Sequence, residues 1–234
     1  MIVAIHQPNY LPWLGYFYKI ARSDIFVFLD DVQYSKGSYT NRVQILSATG
    51  PRWLTVPVKA SLGEPISDIE FGKADWMSGH LSTLVGMYRS APMFRAVWPE
   101  TKDLLESASG PGLASANIQL ITGLSRRLGF SCRFVRSSSL AIAGTSDTSL
   151  VQITKALAPG GGYLSGRGAE KYQDPDKFRS AGLCFEYSSF VHPVFSQSAQ
   201  SGRSGFVAGL SVLDAVFHLG WEQTADLIHN SGGK

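Results

Sequence analysis

Cysteine is nearly absent: the 234 residues hold two, Cys132 and Cys184. A secreted disulfide scaffold needs more, and both lie beside apolar or aromatic neighbours, so they read as reduced core thiols of a cytosolic protein, with a metal pair as the weaker alternative. No apolar run reaches the roughly 18 residues of a membrane span, and a strand begins at residue 2 without a basic leader. A cytoplasmic protein with no membrane insertion is expected. An excess of one charge is lacking too. Against 18 Asp+Glu stand 21 Lys+Arg, a net +3 with no basic block, whereas a duplex-binding protein shows a basic stripe or a recognisable motif. The expected partner is therefore not a nucleic-acid duplex but a small molecule. A phosphorylated or nucleotide-linked one fits, since it needs only a few placed cations.

Familiar catalytic signatures are missing as well. There is no G-x-S-x-G elbow and no H-E-x-x-H, and the five histidines at 6, 80, 192, 218 and 229 show no paired spacing. A hydrolase serine is disfavoured, and a zinc site would have to assemble from distant segments. No metal is assigned, and the residues name no cofactor.

What is present begins at the N-terminus. Ile2-Val3-Ala4-Ile5 and Ile25-Phe26-Val27-Phe28-Leu29 are apolar runs of the kind found in strands buried on both faces. Between them WLGYFYKIA can form about two helical turns. Pro8 and Pro12 keep the intervening loop extended, because each fixes its own φ and biases its predecessor away from helix. The order strand, loop, helix, strand places His6, Gln7 and Asn9 over one strand end and Asp30 and Asp31 over the next. Open α/β sheets bind ligands at that carboxyl edge. A lone histidine or aspartate is more often a core or capping residue, but here both strand ends carry polar clusters.

These residues also carry a resemblance. IHQPNYLPWLGYFYKIARSDIFVFLDDVQYSKGSYTNRVQI followed by WLTVPV is similar to the N-terminal signature of the WbqC-like proteins of bacterial surface-polysaccharide gene clusters. Later segments agree: His80 to Tyr88 with Ala91-Pro92-Met93-Phe94, Tyr163-Leu164-Ser165-Gly166, His192-Pro193 with Gln197, and Leu210-Ser211-Val212-Leu213-Asp214 before Gly220. The chain departs from the usual pattern at Val194-Phe195 and in the Ser/Gly-rich insert that follows. The resemblance implies a role in making or decorating an O-antigen or related glycan, with acyl or aminoacyl transfer to an amino sugar as one step.

The rest of the chain supports one α/β domain over residues 1–234: a largely parallel sheet of five or six strands flanked by helices, with an inserted helical cluster at about 75–128. Residues 44–46 and 53–58 flank Thr49-Gly50-Pro51 as a hairpin. His80, Leu81, Leu84, Val85 and Tyr88, and later Leu113, Ile118, Ile121, Leu124 and Leu128, recur at helical spacing. Three helices result, broken at Pro92 and at Gly110-Pro111-Gly112. Strands are expected at 132–135, 163–164 and 183–187, with Thr145 or Ser146 capping a helix between the first two. The stretch SQSAQSGRSG at 196–205 reads as a mobile loop.

Three constellations could carry chemistry. In the first, His6 or Asp30 is the catalytic base, with Gln7, Asn9, Tyr10, Trp13, Asp31 and Asn41 as substrate contacts. Arg42 is there either an anion clamp, its planar fork suiting phosphate or carboxylate, or a solvated strand-end cation. The second is Ser165-Gly166-Arg167-Gly168, whose glycines permit close backbone approach although the P-loop spacing is absent. The third is His192 before the flexible loop, a lid residue or nothing more. Asp214 falls on an apolar helix and needs a partner to be tolerated. Three functions remain open: a transferase acting on the amine of a nucleotide-linked amino sugar, a nucleotide-dependent ligase or nucleotidyltransferase, and a non-catalytic sugar-binding protein suggested by Trp13, Tyr16, Tyr39 and Trp53.

Overall fold

The computed structural model describes residues 1–108, 110–142, 144, 146–197 and 205–233. Five short strands form one all-parallel sheet: β1 (Ile2–His6), β2 (Ile25–Phe28), β7 (Arg133–Arg136), β8 (Gly162–Ser165) and β9 (Cys184–Tyr187), in the spatial order β7-β2-β1-β8-β9. The remaining strands pair outside it. β3 (Arg42–Ser47) and β4 (Gly50–Thr55) make an antiparallel hairpin, and β5 (Val58–Lys59) pairs with β6 (Glu70–Phe71). The expected strand at 53–58 thus splits between two small sheets. Thr145 and residues 198–204, expected as a cap and as a mobile loop, lie outside the described residues.

Alternate residues of each central strand feed opposite cores, as the two-residue period of a strand requires. Ala4, Phe26 and Phe28 face a large core with α1 (Leu14–Ala21), α2 (Trp76–Tyr88), α3 (Phe94–Ser107), α4 (Leu113–Arg127), α7 (Val212–Leu219) and α8 (Trp221–His229). Val3, Ile5, Ile25 and Val27 face a smaller one with α5 (Ser146–Leu157) and α6 (Pro175–Ser180). This is an α/β fold of three layers, with α2, α3 and α4 as the expected helical cluster.

The connections fix where the sheet opens. From β1 the chain steps outward to β2 and β7 on one side. It then returns to place β8 and β9 on the other. Strand order therefore reverses between β1 and β8, and in such sheets neighbouring connections leave a crevice above the strand ends at the reversal. Among the described residues no helix is long and apolar enough to cross a membrane. Both cysteines are free thiols, but core placement fails for Cys184. It lies on the sheet's edge strand, where one side lacks a neighbour, and it is exposed.

Candidate functional site

A cavity of about 790 Å³ occupies that reversal point. Ile5, His6 and Gln7 close it from the end of β1, Trp13, Gly15, Tyr16 and Lys19 from α1 and the residue before it, and Leu29 from beyond β2. Tyr163, Ser165 and residues 166–169 enter from β8, Tyr172 and Gln173 from the turn after it, and Ser188 and Phe190 from beyond β9. Leu150 of α5 completes the wall. The cationic or basic side chains in this lining are His6, Lys19 and Arg167, and among the described residues no carboxylate is part of it.

His6 leaves β1 and packs its ring edge-on against Tyr16 at 4.7 Å and Trp13 at 5.8 Å. Its Nδ1 lies 3.1 Å from the Gln7 carbonyl, which can only accept, so Nδ1 carries the proton and Nε2 keeps its lone pair. Burial, together with the positive charge of Lys19, pulls its pKa down to about 3. The imidazole is therefore neutral at physiological pH. Tyr16 donates its hydroxyl to the same Gln7 carbonyl at 3.0 Å, which fixes the turn out of the strand. Close packing holds α1 here. A Cβ on Gly15 would meet Trp13 Nε1 and the Phe190 ring at 2.8 Å.

On the other side, Ser165 Oγ donates to Gln173 Oε1, and Gln173 Nε2 donates to the Tyr163 hydroxyl at 3.0 Å. Burial pushes that hydroxyl up to about 12, so it stays protonated. Arg167 Nε donates to the Ser188 carbonyl at 3.1 Å, which ties the β8 turn to the end of β9. The remaining guanidinium stands exposed at the rim.

The sequence-predicted residues divide. His6, Gln7, Trp13, Ser165 and Gly166 line the cavity; Asn9, Tyr10, Asp30, Asp31, Asn41, Arg42 and His192 do not. The Asp30 carboxylate is fully buried at the β2–β7 end, where it accepts from Arg136 Nε at 2.7 Å and from Ser138 N and Oγ at 3.0 Å each. Asp31 accepts from Ser137 Oγ at 2.5 Å. Their partners arrive from more than 100 residues away, so the aspartates lock the β7 turn instead of reaching β1. Asn9 and Tyr10 are buried in the loop itself. Tyr10 donates to His80 Nδ1 at 2.8 Å, and His80 Nε2 donates to the Thr55 carbonyl at 3.0 Å. Asn41 Nδ2 donates to the Val56 carbonyl at 3.0 Å. Arg42 lies with its guanidinium 4.1 Å above the Trp53 ring, a cation–π contact on the hairpin, so it cannot clamp an anion in the cavity. His192 Nε2 accepts from the Gly209 N–H at 2.9 Å and braces its own loop. Asp214 finds its partner in Gln197 Nε2 at 2.7 Å.

Among the cavity residues outside the predicted set, two carry cationic side chains, Arg167 and Lys19. In the sequence Arg167 stands out only as part of the Ser165-Gly166-Arg167-Gly168 turn. Lys19 sits in the last turn of α1, where a cation ordinarily complements the helix dipole from the surface. Here it is 4% exposed and donates to the Ile5 carbonyl at 3.0 Å. The available signal was its setting in YFYKI, a run with no other polar group to mark a solvent face.

Comparison with known proteins gives two findings. The chain is 29% identical over 225 residues to the uncharacterized protein Rv1507c of Mycobacterium tuberculosis (strain ATCC 25618 / H37Rv), covering 94% of each chain. Residues 7–226, from the loop after His6 to within α8, match the model of the WbqC-like protein family. With the opening loop, the cavity lining apart from Ile5 and His6, and the whole sheet beyond β1 inside that match, the chain belongs to the WbqC-like protein family.

Proposed function

We propose that this protein is a transferase of bacterial surface-glycan biosynthesis. It binds a phosphorylated or nucleotide-linked amino sugar in the β1/β8 crevice and transfers an acyl or aminoacyl group to the sugar amine. The observation that carries this reading is the crevice itself, at the strand-order reversal, lined by Arg167, Lys19 and the neutral His6 and, among the described residues, by no carboxylate. Arg167 at the rim suits a phosphate, and Trp13, Tyr16 and Phe190 supply the aromatic walls on which a base or sugar ring packs. The glycan setting follows from the family resemblance.

In the transfer the amine nitrogen attacks the acyl carbon, a C–N bond forms as the bond from the acyl carbon to the donor's leaving group breaks, and the proton lost from the nitrogen leaves on that group. His6 Nε2 has its lone pair free, so it accepts a hydrogen bond from the amine and aims the nitrogen's own lone pair. Of the two residues expected as the base, Asp30 is occupied by Arg136 and Ser138 at the β2–β7 end of the sheet, and His6, with its low pKa, serves to accept from and orient the amine instead of holding its proton. A second reading, a nucleotide-dependent ligase or nucleotidyltransferase, is favoured by Gly15, which brings the first turn of α1 into the cavity wall as a phosphate cradle would.

A thermal-shift screen of nucleotides, nucleotide-linked sugars and acyl donors, with and without Mg²⁺, tests both, since a ligand of the native state raises the melting temperature by mass action. Stabilisation by nucleotide-linked amino sugars without ATP is the expected result. Stabilisation by ATP with Mg²⁺ alone overturns it in favour of the second reading.

A further inference from the structure

The pairing of β1 with β8 stops at Ala4 opposite Leu164. The His6 carbonyl accepts from Leu29 on the β2 side. Carbonyls alternate along a strand, so that of Ile5 points toward β8, one step past the last pair. Lys19 Nζ fills the vacated ladder position at 3.0 Å. Lys19 thus stands where the two strands part, in the wall of the cavity, with one of its donors used. Among the described residues it has no ion-pair partner. An unpaired ammonium withdrawn from water is costly, and burial accordingly pulls this amine down to about 7.

We propose that Lys19 is the anion-recognition residue of the crevice, and that the ligand's phosphate or carboxylate binds together with a proton taken up on Nζ. This rests on the reading of the crevice as the site of an anionic substrate and adds the residue and the proton linkage to it. An arriving anion supplies the missing counter-charge, so the ammonium form is favoured in the complex and the neutral amine in the free protein. The other titratable groups around the cavity are His6 from β1, Tyr16 from α1, Tyr163 from β8, and Arg167 and Tyr172 from the turns beyond it. Burial keeps His6 neutral and pushes Tyr16 and Tyr163 upward, which leaves Lys19 to titrate in the neutral range.

The test uses two anions that do not titrate between pH 6 and 8, inorganic sulfate and UDP-N-acetylglucosamine. Affinity is measured from pH 6 to 8 for the intact protein, Lys19→Arg and Lys19→Met, with calorimetry in two buffers of different ionisation enthalpy. For the unsubstituted protein, affinity should fall about ten-fold over that range, with net proton uptake on binding at pH 8. Lys19→Met should bind more weakly at pH 6 and lose the slope, and Lys19→Arg should bind without a slope. Binding that is independent of pH and takes up no proton overturns this inference alone. Failure of either anion to bind at any pH overturns it together with the anionic-substrate reading. Should a variant fail to fold, the pH slope and proton uptake of the unsubstituted protein decide.

Discussion

The carboxyl edge of this sheet carries two polar clusters that look alike in sequence and differ in every bond. At the β2–β7 end Asp30 is sealed: its oxygens accept from Arg136 Nε, from Ser138 N and Oγ and from Ser137 Oγ, and its own N–H goes to Ser137 Oγ at 3.1 Å. At the β1–β8 end His6 keeps a free lone pair, and Lys19 uses one donor of three. The first cluster holds the β7 turn against the sheet. The second leaves bonding capacity pointed at a cavity. A strand-end polar residue is thus read by what remains unmade around it, since a saturated cluster has nothing left to offer a ligand.

Breaking the sealed corner should have the largest effect. Asp30→Ala leaves Arg136 and Ser138 without their acceptor. Because the Arg136 side chain is 38% exposed, the loss sits at the low end for a buried pair, about 3 kcal/mol in urea unfolding. Ligand affinity in the soluble fraction should not change. A stable Asp30→Ala protein that no longer binds anions would instead make the corner a site.

The open end should show itself through acid. His6 is held below its unfolded value, so between pH 6.5 and 3 the native state binds fewer protons than the unfolded chain. Its stabilising contribution is complete above pH 6.5 and is lost as the pH falls. Comparison of urea midpoints for the protein and His6→Asn should give a difference in stability change of about 2 kcal/mol between pH 6.5 and 4.5. Parallel pH profiles for the two proteins would sink this assignment.

A change at Lys19 should move stability in the opposite direction to Asp30→Ala. A methionine fills the same channel without a charge to desolvate, at the expense of the Ile5 carbonyl's partner. Lys19→Met is therefore expected to gain about 1 kcal/mol at pH 7. A loss above about 2 kcal/mol would place Lys19 with the sealed corner. Arg167→Ala should change stability least, by less than about 0.5 kcal/mol, because the side chain is exposed. It should still weaken binding of a nucleotide-linked sugar about ten-fold by titration calorimetry, the value of one solvent-screened charge-assisted bond.

Much of the fold was legible because it depends on local pattern. The runs at 2–5 and 25–29 became β1 and β2, and helical spacing broken at Pro92 and Gly110-Pro111-Gly112 became α2, α3 and α4. His6, Gln7 and Trp13 were reachable in the same way, since the end of β1 and the start of α1 bring them together. The division between crevice and corner was not legible. It depends on Asp30 meeting Ser137 and Ser138, 107 and 108 positions along the chain. The setting of Arg42 was not legible either: Trp53 lies across from Gln44, two positions along the same face of the hairpin, and its aromatic face takes the guanidinium. Lys19 is not legible because a helix-ending lysine is ordinarily solvated, and only the enclosing tertiary structure makes it a cavity wall.

The β1–β8 junction also governs how the molecule is born. Ile2 pairs with Gly162, so the two sides of the crevice are separated by about 160 residues of chain. While synthesis proceeds, β1, β2 and β7 can assemble once residue 136 has emerged, but β1 is then an apolar edge with unpaired backbone groups, open to another nascent chain. Only the arrival of β8 covers that edge and, in the same step, creates the cavity. Loop closure over so long a span is slow relative to local pairing, which makes the crevice the last part of the sheet to form and a chain ending before residue 162 prone to aggregate.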